Sequence, residues 1–268
     1  MDSWVFFSFP LPFFPSLLIL CLLSPCLSQT VADNYSACSN QFQCGKITAG
    51  YPFFGGDRPA GCGNPGLKLS CRNNNKARIN INNLTYQVLG IDEGNQILRV
   101  AREDYLNSGL TGFCSSELAN TTLDSSLFEF DSGVGNITLY YGCLPSIAQA
   151  FRLPSVCNKS GLVYAVYAQS GESWNADCSD HVIVPTSEAI VIPILDISTL
   201  ERALNDGFQV RWKVDGEACR ECSDSEGACG IDSSNQTVCF CPNQTSPLKT
   251  CLLTPTSATA TTEKNVKK

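Results

Sequence analysis

Cysteine sets the terms on which this chain folds. There are 16 in 268 residues; Cys21 and Cys26 lie in an apolar N-terminal stretch and fourteen follow it. Those fourteen are Cys38, Cys44, Cys62, Cys71, Cys114, Cys143, Cys157, Cys178, Cys219, Cys222, Cys229, Cys239, Cys241 and Cys251. An even number of cysteines in an exported chain implies disulfides, because the extracellular poise keeps paired thiols oxidised. Which cysteine joins which cannot be deduced from their order. Cys219-x-x-Cys222 with Cys239-x-Cys241 has the spacing of a zinc site in a reducing compartment. In an oxidising one the same residues are expected to form disulfides, with partners left open, and no metal and no cofactor is expected.

Export is expected on independent grounds. Val5 to Leu27 is almost wholly apolar and ends in Ser24-Pro25-Cys26-Leu27-Ser28, with small residues two apart as signal peptidase requires. Residues 1–28 therefore read as a signal peptide, leaving a mature start at Gln29. The n-region carries Asp2 and no Lys or Arg, and the run is long enough to span a bilayer, so an uncleaved anchor is the competing reading. Pro10, Pro12, Pro15 and Pro25 weaken such a helix. Glycosylation sequons begin at Asn34, Asn83, Asn120, Asn136, Asn158, Asn235 and Asn243. Further on, Val182 to Leu195 is broken by Pro185, Glu188 and Pro193. Residues 252–268 read as a disordered, Thr-rich tail without a glycolipid-anchor signal. The expected product is secreted, and membrane-anchored only if the leader stays or a longer form exists.

Alternation supplies the fold class. Lys76 to Asn82 places Ala77, Ile79 and Ile81 on one face and Lys76, Arg78, Asn80 and Asn82 on the other, which is a half-buried strand. Leu84-Tyr86-Val88, Ile97 to Ala101, Asn136 to Tyr141 and Phe208 to Val214 read likewise. One short helix is expected, from the capping box Ser198-x-x-Glu201 to Gly207 at the C′ position. The class is all-β or β-rich, disulfide-rich, in two small cysteine-rich domains, 29–150 and 151–251.

Charge separates the two. The chain carries a net −7 overall, which disfavours nucleic acid as a partner. From Gln29 to Tyr105, however, eight Lys/Arg stand against six Asp/Glu. An anionic partner would meet least repulsion there.

The same segment holds a specific pattern. It reads Phe42-x-Cys44-Gly45-x-Ile47-x-x-Gly50-Tyr51-Pro52-Phe53, then Cys62-Gly63-x-Pro65, then Leu67-x-Leu69-x-Cys71. This resembles the galacturonan-binding domain of wall-associated receptor kinases, and more narrowly the ectodomains of leaf-rust-resistance-type receptor-like kinases. Gly207-Phe208 to Trp212, Cys219-x-x-Cys222, Cys229-Gly230 and Cys239-Phe240-Cys241 resemble the companion C-terminal domain. The resemblance implies cell-wall pectin or oligogalacturonides as ligand, with a role in sensing or defence. It also implies receptor kinase ectodomains as possible partners, for a soluble module that pairs with or competes against a full-length receptor. Members of the family commonly carry a serine/threonine kinase domain. This sequence has no Gly-rich loop, no Val-Ala-Ile-Lys strand and no His-Arg-Asp loop, so no kinase activity is expected of it.

Candidate ligand contacts are basic and aromatic. Lys76 and Arg78 share a strand face, Lys68 and Arg72 flank Cys71, and Arg99 and Arg102 lie on a following strand. Cations would pair with uronate carboxylates. Tyr51 and Phe53 could stack on a sugar ring, although aromatics beside a proline also pin turns to a core. His181, the only histidine, has no nucleophile elbow to serve, and no catalytic residue is assigned.

Overall fold

The computed structural model describes residues 31–106, 118–144, 166–168, 178–187, 197–242 and 247–251. In chain order, helix α1 (Val31–Ser39) leads into β1 (Phe42–Cys44) and β2 (Ile47–Ala49). Then come β3 (Leu69–Arg72), β4 (Lys76–Ile81), β5 (Leu84–Asp92) and β6 (Ile97–Arg102). β7 (Phe128–Phe130), β8 (Gly135–Tyr141), β9 (Val166–Ala168) and β10 (Asp180–Thr186) follow. The chain continues through α2 (Ile197–Asp206), β11 (Phe208–Trp212), α3 (Glu217–Asp224), β12 (Ala228–Ile231) and β13 (Thr237–Phe240). The β-rich, disulfide-rich class is as expected. The α2 helix is the one anticipated; α1 and α3 are two that were not.

The centre is a six-stranded sheet ordered β3-β4-β5-β6-β11-β7, with antiparallel pairs throughout. Its hairpins follow from asparagine. Ile81 pairs with Leu84 across Asn82 (φ 48°) and Asn83 (φ 66°), the left-handed pair that a two-residue turn between twisted strands needs. Asn73 and Asn74 are left-handed in the β3–β4 turn as well. Alternation sends Leu69, Ala77, Ile79, Ile81, Tyr86, Val88, Leu98, Val100, Val210 and Trp212 to one buried face. There Phe53 meets Trp212 edge-on at 4.9 Å and Tyr86 meets Phe208 at 5.9 Å, the favoured aromatic geometry.

Strand β11 lies between β6 and β7, so this sheet draws on residues from either side of position 150. Gly207 admits β11 to that place. It is left-handed (φ 65°), and a Cβ there would collide with Val100 O. A second sheet, β10-β8-β9, buries Ile137, Leu139, Val182 and Val184.

Six disulfides join the described cysteines. Cys38–Cys62, Cys44–Cys71 and Cys143–Cys178 lie in the earlier part; Cys219–Cys229 and Cys222–Cys239 bind α3 to the β12–β13 hairpin, and Cys241–Cys251 closes the segment that follows β13. Cys114 and Cys157 fall outside the described residues. The sulfurs of Cys222, Cys239 and Cys251 crowd Gly227 so closely that a Cβ there would overlap them. The cysteines with zinc-like spacing are thus paired as disulfides. Among the described residues, no helix is long and apolar enough to cross a membrane. The expected leader, residues 1–28, and the tail, 252–268, lie outside those residues.

Candidate functional site

The outward face of the β3–β4 hairpin collects cations. Register places Arg72 opposite Lys76 and Ser70 opposite Arg78, and Lys68 precedes β3 in extended backbone. Lys68 and Arg72 are exposed; Lys76 and Arg78 are half-buried, with their neighbours Ala77 and Ile79 turned into the core. One carboxylate serves the group. Glu103 accepts from Arg78, with Nε at 2.8 Å, and from Arg72 at 3.4 Å. Lys68 and Lys76 make no ion pair among the described residues. Asn80 extends the polar surface, and Arg99 is exposed on β6, opposite Gly90 and Gln209.

The other edge of the sheet is a useful contrast. There Arg211 meets Asp131 at 2.9 Å and Glu129 at 3.9 Å, while Lys213 meets Glu129 at 3.2 Å. Cations on that side are matched by carboxylates. On β3–β4, among the described residues, four cations have one paired carboxylate, Glu103.

Three of the expected contacts lie elsewhere. Arg102 is 2 % exposed and turned inward, in the parity of Leu98 and Val100. Its guanidinium bonds Asp104 at 2.7 Å and Ala119 O at 2.5 Å, and lies 4.8 Å from the Tyr105 ring centroid. Burial pulls its pKa down, but the Asp104 carboxylate outweighs that and leaves it above the usual value. It fastens the segment 118–122, whose Thr121 and Asn120 bond Ile183 on β10. Phe53 is fully buried against Trp212 and offers no face to a sugar. Tyr51 stands apart from the cations. It is half-buried, with its hydroxyl 2.6 Å from Thr237 Oγ1, and desolvation raises its pKa.

Arg58 carries a role that the sequence did not suggest. It is buried, and it donates to the carbonyls of Phe53 (2.9 Å), Asn40 (2.7 Å), Cys62 (2.8 Å), Cys229 (3.4 Å) and Cys38. Burial lowers its pKa to about 10, with Glu93 opposing. One cation thereby gathers α1, the loop after β2 and the β12 strand. Its setting in Gly55-Gly56-Asp57-Arg58-Pro59 has no periodicity that would mark it as buried.

A groove of about 600 Å³ opens between the β7 side of the sheet and the β12–β13 hairpin. Tyr51, Asn64, Asp124, Lys213, Asp215 and Thr237 are among the residues lining it. They are spread over nearly the whole chain, so no local pattern could have revealed it. The sequon asparagines Asn34, Asn83, Asn120, Asn136 and Asn235 are all exposed, as glycan attachment requires; Asn158 and Asn243 lie outside the described residues.

The cation-bearing hairpin, with β5 and β6 beside it, falls inside a recognised region. A family model described as wall-associated receptor kinase galacturonan-binding matches residues 38–102. A second, described as wall-associated receptor kinase C-terminal, matches residues 155–244. The chain carries the two domains that these models describe and is homologous over most of its length to receptor-like kinases. It is 35% identical over 83% of its length to the Arabidopsis thaliana leaf rust 10 disease-resistance locus receptor-like protein kinase-like 2.8, covering 24% of that protein. It is also 36% identical over 81% of its length to the like 1.4 protein of the same plant, covering 32% of it. The chain thus spans about a quarter to a third of the length of these relatives. No solved structure matches it.

Proposed function

We propose that the outward face of β3–β4 binds galacturonan, the polyuronate of pectin, through the carboxylates of successive sugar units. The observation that carries this reading is the excess of cations: Lys68, Arg72, Lys76 and Arg78 share one surface, and among the described residues their ion pairs go to one carboxylate, Glu103. The surface lies within the segment that matches the galacturonan-binding model. Arginine can clasp a carboxylate with two parallel hydrogen bonds, and lysine adds a compact charge. Arg99 extends the surface for a longer oligomer. The protein works on this reading as an extracellular, glycosylated, receptor-kinase-type ectodomain in wall sensing or defence. Its disulfides and exposed sequon asparagines suit that compartment. It binds and does not cleave.

The test is titration of the purified chain with oligogalacturonides at rising ionic strength. Affinity should fall steeply with salt, since exposed charges are screened over about 8 Å at 0.15 M, and the oligomer should be recovered intact. Salt-indifferent binding, or shortened product, would refute the reading. Homology to receptor-like kinases over most of the chain favours one further possibility, pairing with a full-length receptor. Affinity for a receptor ectodomain without any oligogalacturonide would distinguish it.

A further inference from the structure

The sequon Asn235-Gln236-Thr237 forms one wall of the groove beside β7, and all three of its residues line it. Asn235 itself sits at the exposed tip of the β12–β13 hairpin in the left-handed region (φ 60°). Asp232 holds that tip in shape by accepting from the backbone N–H groups of Ser234 at 2.8 Å and Gln236 at 3.0 Å. A glycan on Asn235 therefore starts at the rim of the groove, from a hairpin that cannot easily swing aside.

The groove suits a neutral sugar better than a uronate. Asp124 and Asp215 line it with one cation, Lys213, which is already paired with Glu129 at 3.2 Å. A polyuronate would meet net repulsion there. Hydroxyl and N-acetyl groups would meet carboxylates, the Asn64 and Gln236 amides and the Tyr51 phenol, which can accept and donate hydrogen bonds. Leu127 and Val214 offer apolar contact to the C–H face of a sugar ring. A volume of about 600 Å³ falls within the roughly 300–1,000 Å³ of pockets that hold a drug-sized ligand. Two N-acetylglucosamine units are of that size.

We infer that this groove is the seat of the protein's own Asn235 glycan, whose core sugars lie between the sheet and the disulfide-bound hairpin. Tethering makes weak contacts sufficient, because a short covalent link sets an effective concentration on the order of millimolar. The glycan then bridges two parts of the fold that otherwise meet here through the Tyr51–Thr237 hydrogen bond. It also keeps the groove closed to free saccharides, leaving the β3–β4 face for acidic ligands. The inference does not depend on what that face binds.

The full secreted chain, expressed in a glycosylating host, supplies the test. Glycopeptide mass spectrometry should find Asn235 occupied. Under native conditions an endoglycosidase that cuts within the core should trim Asn235 at least about tenfold more slowly than Asn34, as expected when a tethered ligand is mostly seated. The difference should vanish on denaturation. Asn235→Gln should raise hydrogen exchange in residues 124–127 and 213–215, and Asn34→Gln should not. An unmodified Asn235, equal native trimming of the two sites, or unchanged exchange in the variant overturns the inference. If Asn235→Gln is not secreted, the trimming rates of the unaltered protein still decide.

Discussion

The six-stranded sheet and the segment from Glu217 to Cys251 are held together by different means. In the sheet, alternating apolar side chains from six strands pack into one cluster around Phe53, Tyr86, Phe208 and Trp212. In the later segment the buried group is largely sulfur: Cys222, Cys229, Cys239 and Cys241, with Cys219, Cys251 and Tyr51 against them. Three disulfides do there what side-chain area does in the sheet. Short strands and an eight-residue helix cannot bury enough apolar surface to offset chain entropy, so cross-links must limit the unfolded state instead. Arg58 joins the two regimes by donating to the carbonyl of Phe53, in the sheet's core, and to that of Cys229.

Reduction should separate them most sharply. Each native disulfide is worth about 2–5 kcal/mol in a domain of this kind, and the later segment has three with little core behind them. On graded reduction, hydrogen exchange should rise first across residues 217–251 and last in β4, β5 and β6. Simultaneous loss everywhere would show that the sheet does not stand on its own packing.

Arginine substitutions should come next. Arg58→Met would leave five carbonyls without their donor and is expected to cost about 3–5 kcal/mol, as for other broken buried charge sites. Arg78→Met removes a half-exposed partner of Glu103 and should cost about 1 kcal/mol or less. Denaturant midpoints of the two variants check this, and equal costs would dissolve the distinction between buried clamp and surface cation.

Alkali should act on the sheet side, by a smaller margin. Desolvation raises the pKa of Tyr86, Tyr105 and Tyr141, the last two with hydroxyls 3.2 Å apart. A raised phenol stabilises the fold while neutral, so its contribution is complete below the ordinary tyrosine value of about 10 and is lost as pH climbs beyond it. Arg58 works in the opposite sense. Its folded value of about 10 lies below the ordinary 12.5, so deprotonation in that window favours the fold. Several tyrosines oppose one arginine, and stability should decline above pH 10, as thermal midpoints would reveal. Replacing Tyr105 and Tyr141 by Phe should flatten that decline.

Strands β4, β5, β6 and β11 of the sheet were legible in the sequence because they alternate cleanly, and Asn82-Asn83 marks the turn between the first two; β3 and β7 are three or four residues long and carry too little pattern to show. The same period separates the candidate cations. Lys76 and Arg78 are two apart and share a face; Arg99 and Arg102 are three apart and must face opposite ways, which puts Arg102 with Leu98 and Val100. Treating those two arginines as one surface set overlooked that parity. Helix α3 escaped notice because its cysteines, Cys219 and Cys222, read first as cross-links, although three-residue spacing is also one helical face. The Arg58 clamp, and the insertion of β11 beside β6, depend on contacts between residues more than a hundred positions apart. No local pattern encodes them.

The central claim is that the cation excess on β3–β4 is the galacturonan site. Its most direct test is the affinity of oligogalacturonide for the full chain carrying Lys68→Glu and Lys76→Glu, two lysines with no ion pair of their own among the described residues. Binding should weaken at least about tenfold, equivalent to about 1.4 kcal/mol, with secretion and the denaturant midpoint unchanged. Glu103→Gln, which releases Arg72 and Arg78, should strengthen it. Arg211→Gln, at the charge-matched edge, should leave it alone. Unaltered affinity in the double variant, or an equal loss in Arg211→Gln, would contradict the assignment.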